Sequence, residues 1–132
     1  MNTSRFFHCL AAALAVTCAV LNTSAEEKVD FARQVQPIFA EHCLECHGPD
    51  DANGGLVLTS REAAMKALKS GAHAIIPGQP GKSAVMERLT TGDLDDRMPP
   101  KEKKPMKPGE IETLRRWITE GAEFQAHWAY RP

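Results

Sequence analysis

The chain has 132 residues, with 16 Lys and Arg against 17 Asp and Glu, for a formal net charge of −1. That balance lacks the basic excess of a nucleic-acid-binding surface, and the length suits one folded domain. Two Trp, one Tyr and five Phe are few aromatics for the core of a small domain, which buries a limited share of its surface.

Arg5 is the single charge in residues 1–25. An apolar run over 6–21 follows, then Thr23-Ser24-Ala25 ahead of Glu26-Glu27. This pattern reads as a secretory signal peptide over 1–25, leaving 26–132 as the domain. The run of 16 residues is shorter than the roughly 20 a spanning helix needs, and Val16-Thr17 before Cys18 is a poor lipoprotein signal. The expectation is an exported or periplasmic chain with no stable membrane span after cleavage.

Phe31, Val35, Ile38 and Phe39 recur at i, i+4, i+7 and i+8, one face of a helix over 29–42. Asp30 is a suitable N-cap, and Pro37 predicts a kink or restart inside it. The helix leads into Cys43-Leu44-Glu45-Cys46-His47. C-x-x-C-H is the attachment signature of c-type haem. Two thiols three positions apart reach the two vinyl groups on one porphyrin edge, and the adjoining imidazole of His47 is placed under the iron as the proximal ligand. The competing readings are a redox dithiol or a zinc site. The first lacks the flanking βαβ pattern. The second needs a fourth ligand from His42, His73 or His127, and no second C-x-x-C or H-x-x-x-H accompanies it. Haem would consume Cys43 and Cys46, the only cysteines left after cleavage, and would add apolar surface to the core.

Residues 48–55 carry turn chemistry, and Leu56-Val57-Leu58 is a short apolar run expected to line the haem pocket. Thr59-x-x-Glu62 predicts a capping box for a helix through Lys69, closed by Gly71. Gly81-Lys82-Ser83 resembles the end of a phosphate loop, but the required earlier glycine is Ile76, so nucleotide binding is excluded. Ser83 is expected to cap a helix over 84–89 with Val85, Met86 and Leu89 inward. Residues 92–109 read as loop. The last helix is expected over 108–120, with Pro108 at its first position, an apolar stripe of Ile111, Leu114, Trp117 and Ile118, and Gly121 at its end. No internal repeat and no strand pattern is present. The fold class is all-α: a small cytochrome c-like helical domain wrapped around one covalent haem, with a helix before the haem motif and one at the C-terminus crossing it.

A six-coordinate haem needs a second axial ligand. Met65, Met86, Met98, Met106, His73 and His127 follow the motif. Met65 and Met86 fall at helical positions where methionine fills cores. Met98 lies in a polar loop stiffened by Pro99-Pro100, and is the preferred distal ligand. A thioether favours ferrous iron and raises the potential. Arg97 is placed to neutralise a propionate or to remain solvated. Lys101, Lys103, Lys104 and Lys107 form a basic run suited to an acidic redox partner protein, or to a solvated face.

The ordered series resembles the planctomycete-type cytochrome c domain, of the cytochrome c-like family. The matching stretches are Val35-Gln36-Pro37-Ile38-Phe39, Cys43 to Asp50, Gly54-Gly55-Leu56-Val57-Leu58, Ile76-Pro77-Gly78, Arg97-Met98-Pro99-Pro100, Leu114-Arg115-Arg116-Trp117-Ile118 with Glu120-Gly121-Ala122, and His127-Trp128-Ala129-Tyr130. The resemblance implies one haem c per chain, held by Cys43 and Cys46, with His47 and Met98 as iron ligands. Asn53 departs from the family's usual basic residue. Lys107-Pro108-Gly109 departs from its Thr-Pro-Glu type cap and predicts more fraying. In this family the domain typically opens a longer exported protein, so downstream domains are also expected partners. The function implied is one-electron transfer without catalysis. The alternatives are an open-site haem enzyme or sensor, and a zinc-binding interaction module.

Overall fold

The computed structural model describes residues 27–125. The segment 1–25, expected to be a signal peptide, and the His127–Tyr130 stretch lie outside the described residues. Among the described residues the elements are helices and turns, with no strand. Two isolated bridges, His47 with Ala52 and Ala67 with His73, tie loops. No described helix is long and apolar enough to cross a membrane.

The first helical segment restarts at its proline. A π-helical turn, Phe31–Val35, gives way to α1, Gln36–His42. Asp30 caps the start, its carboxylate accepting from the Arg33 N–H at 3.1 Å. Pro37 has no N–H for the carbonyl of Arg33. The Gln36 N–H instead reaches five residues back to Phe31 O, the π-type bond that widens this turn. Phe31, Val35, Ile38 and Phe39, the four residues of the apolar stripe, are all buried.

One helical turn, α2, Leu44–His47, follows at once. Two further short helices are α3, Arg61–Ala64, and α4, Ala84–Thr90. The last helix, α5, Pro108–Thr119, has Pro108 in its first turn and buries Leu114, Trp117 and Ile118. It packs against the N-terminal segment through aromatic rings. Phe31, Phe39 and Phe124 surround Trp117, with ring centroids 5.8, 5.6 and 5.2 Å away. Edge-to-face contacts of this kind add to the area term, and fully burying one such ring contributes about 1.5–3 kcal/mol. The described aromatics are therefore concentrated where the N-terminal helical segment meets α5. Val29 N–H donates to Glu120 Oε2 at 2.7 Å and fixes the same junction.

Three local expectations are corrected. The helix expected to reach Lys69 is a single turn, and its cap is Ser60, whose Oγ accepts from Ala63 N–H at 3.2 Å, not Thr59. Beyond Met65 the backbone donors turn to other partners: Lys69 N–H bonds Gly54 O and Leu68 N–H bonds Ala72 O. Ser83 precedes α4 but does not cap it with its side chain. Its hydroxyl is buried, accepting from Ile76 N–H at 2.9 Å and donating to Gln79 O at 2.9 Å. It therefore pins the 76–83 loop. The start of α5 is also held, because Glu110 Oε2 accepts from Lys107 N–H at 2.7 Å. That carboxylate supplies one half of a capping box that the sequence at 107–109 lacks.

Candidate haem-attachment site

The C-x-x-C-H residues acquire a common side from the helical turn they form. Cys43 N–H still bonds Phe39 O, closing α1, while Cys46 N–H and His47 N–H both return to Cys43 O at 3.2 and 2.9 Å. Positions i, i+3 and i+4 of a helical turn lie on one face. Cys43, Cys46 and His47 are therefore presented together, two thiols and an imidazole. Gly48 then lets the chain turn away, since a Cβ there would stand 2.6 Å from Leu44 O. Leu58 N–H bonds His47 O at 2.9 Å, so the expected apolar run returns beside the motif. Leu58 is buried in the core, and Leu56 packs against it.

Both cysteines are free and half-buried. Burial pushes the Cys43 thiol up to about 12. A redox dithiol uses a depressed thiol pKa, so Cys43 has the opposite bias. His47 is pushed below the ordinary imidazole range, first by burial, against the opposing pull of the Asn53 and Leu56 carbonyls and the Asp51 charge. Its Nδ1 is buried and none of these carbonyls meets it in hydrogen-bond geometry. Burial that disfavours the imidazolium suits a metal ligand, which must be a neutral imidazole. The donor set, its shared face and the orphaned ring nitrogen all fit a covalently attached haem.

The methionines fall into distinct environments. Met86 is buried, Met65 and Met106 pack against the core, and Met98 is exposed. Met98 thus does not act as core filler. Its N–H donates to Arg88 O at 2.8 Å, and Arg88 Nη1 also holds Asp96. The Met98–Pro99 peptide is cis. His73, the other described candidate, places Nδ1 3.1 Å from Met65 O. Arg97 is exposed.

The loop after Met98 returns to the motif through charges. Lys103 pairs with Glu45 inside C-x-x-C-H, and Lys104 pairs with Glu41 on α1. Each lysine is shifted upward by its glutamate, and Lys104 holds Glu41 below the usual carboxylate range. Two of the four lysines in the basic run therefore have partners in the chain itself. These ties, and the Arg88 anchor, are absent from the sequence reading. The available signal was the pair Glu41 and Glu45, four apart on one helical face, set against Lys103-Lys104.

The family model described as Planctomycete cytochrome C matches residues 43–102. The match begins on Cys43 and passes beyond Met98, and its family is the one that the sequence resembles. It points to a haem-binding cytochrome. No curated protein and no solved structure matches the chain.

Proposed function

We propose that this chain, cytochrome-like over residues 43–102, is an exported c-type cytochrome that carries one covalent haem and transfers single electrons. Cys43 and Cys46 hold the porphyrin as thioethers, His47 is the proximal ligand and Met98 the distal one. The observation that carries this reading is the single helical turn putting both thiols and the imidazole on one side. When bound, the haem supplies an iron that cycles between ferric and ferrous states.

The remaining roles belong to the chain. Burial disfavours the charged form of the His47 imidazole. The exposed thioether of Met98 is carried on a loop anchored by Arg88 on one side and by Lys103 and Lys104 on the other. A neutral sulfur ligand favours the reduced metal, and filling both axial positions leaves no site for substrate. A redox protein is the expected partner, with the domain acting alone or as the first module of a longer chain.

The test is the optical spectrum of the exported protein. A thioether–iron bond gives a weak band toward the red end of the visible in the ferric state. Met98→Ala should remove that band, lower the potential and open the iron to carbon monoxide, while Met86→Ala and Met106→Ala should keep it. Rapid carbon monoxide binding by wild-type protein would overturn the carrier reading in favour of an open-site haem.

A further inference from the structure

Just before the C-x-x-C-H motif in the chain begins a second group of donors. Glu41 and His42 end α1, and Glu110 projects from the first turn of α5. One ligand atom from each lies within 4.8 Å of the other two. The His42 side chain is 1% exposed, and neither ring nitrogen has a hydrogen-bond partner. Nε2 stands 3.4 Å from Glu110 Oε2 and 3.7 Å from Glu41 Oε2. An imidazole this buried normally has both nitrogens satisfied. Here Nε2 faces two carboxylate oxygens too distant or misaligned to bond it.

We propose that Glu41, His42 and Glu110 form a binding site for a divalent ion of the zinc type, separate from the haem. Zinc takes nitrogen and oxygen ligands at about 2.0–2.2 Å in tetrahedral geometry, so neighbouring donors sit about 3.4 Å apart. The Nε2 to Glu110 separation of 3.4 Å is that edge, and the Glu41 separation of 3.7 Å needs a small closure. Two carboxylates and a neutral imidazole balance a dication. Three protein donors leave a fourth position for water, the open type of site. Glu41 is nearly half exposed, at 46%, and provides the entry path. Its other oxygen remains with Lys104, which fixes the carboxylate from behind. Glu110 is held through the donor oxygen itself, since Oε2 accepts from Lys107 N–H with one lone pair and keeps another for the metal. These outer contacts orient ligands.

The experiment is zinc titration of the exported protein by calorimetry at neutral pH, with X-ray absorption of the zinc-loaded sample. The expected result is one zinc per chain, a shell of nitrogen and oxygen only, and affinity weakened about tenfold or more in both Glu110→Gln and His42→Asn. Glutamine keeps the oxygen that accepts from Lys107 N–H, so Glu110→Gln preserves the start of α5 and separates metal loss from unfolding. Absence of binding at millimolar zinc, a sulfur in the shell, or unchanged affinity in either variant would overturn the site. A sulfur shell would place the metal on Cys43 and Cys46 instead, and would count against covalent haem as well. The other two outcomes leave the haem reading untouched.

Discussion

Lys103 and Glu45, separated by 58 residues, form an ion pair that ties the loop beyond Met98 to the centre of the C-x-x-C-H turn. Glu41 and Lys104 repeat the tie one helical turn earlier. The segment 98–104 is thereby held at both ends, by Arg88 at Met98 N–H and by the two glutamates at its far end. Exposed pairs of this kind contribute modestly to stability. Their consequence is where the loop lies.

Lys103→Glu sets two carboxylates against each other and should release the loop. Limited proteolysis is expected to cut within 97–107 faster than in wild type, with Lys101→Glu unchanged. Equal cleavage of all three proteins would show that the ion pair does not hold the loop. High salt should narrow the difference, since both groups are exposed.

The Glu41–Lys104 pair sets a pH window. Glu41 is held low by Lys104, so its contribution is present above the ordinary carboxylate value and is lost as pH falls through the lowered one. Lys104 is raised by Glu41, so its contribution is present below the ordinary lysine value and is lost as pH rises through the raised one. The stability difference between wild type and Lys104→Met should therefore persist from about pH 4.3 to about pH 10.4 and vanish on either side. Denaturant midpoints across that range check it. A difference that survives in strong acid would assign it to packing.

Ser83 is a buried polar residue of the core. Ser83→Ala leaves Ile76 N–H without its acceptor and removes one of two donors to Gln79 O, which keeps the Lys82 N–H. The expected loss is about 1–3 kcal/mol, measured by urea unfolding. A loss near that of an exposed helix cap, with the 76–83 loop unaffected in hydrogen exchange, would contradict the pinning role.

The apolar stripes were legible in the sequence because burial has the period of the helix. Phe31, Val35, Ile38 and Phe39 on one segment and Leu114, Trp117 and Ile118 on the other are all inside. Pro37 announced the restart through its missing N–H. The C-x-x-C-H group was legible for a similar reason: spacing of three and four is itself helical geometry. Three other features depend on which of several hydrogen-bond partners a group meets in the fold. The helix expected to reach Lys69 stops after one turn, with Lys69 N–H bonding Gly54. Ser83 prefers the loop to the helix. Lys107-Pro108-Gly109 looks poorly capped until Glu110 folds back. Local signals gave the candidates in each case, and hydrogen bonds made in the fold, distant for Lys69 and close in sequence for Ser83 and Lys107, chose among them.

Covalent attachment of one haem to Cys43 and Cys46 is read by intact mass. Protein exported from a host with cytochrome maturation should carry the mass of one haem that survives acid-acetone extraction, and Cys43→Ala with Cys46→Ala should abolish it. A wild-type protein recovered from that host at its bare polypeptide mass would contradict the account.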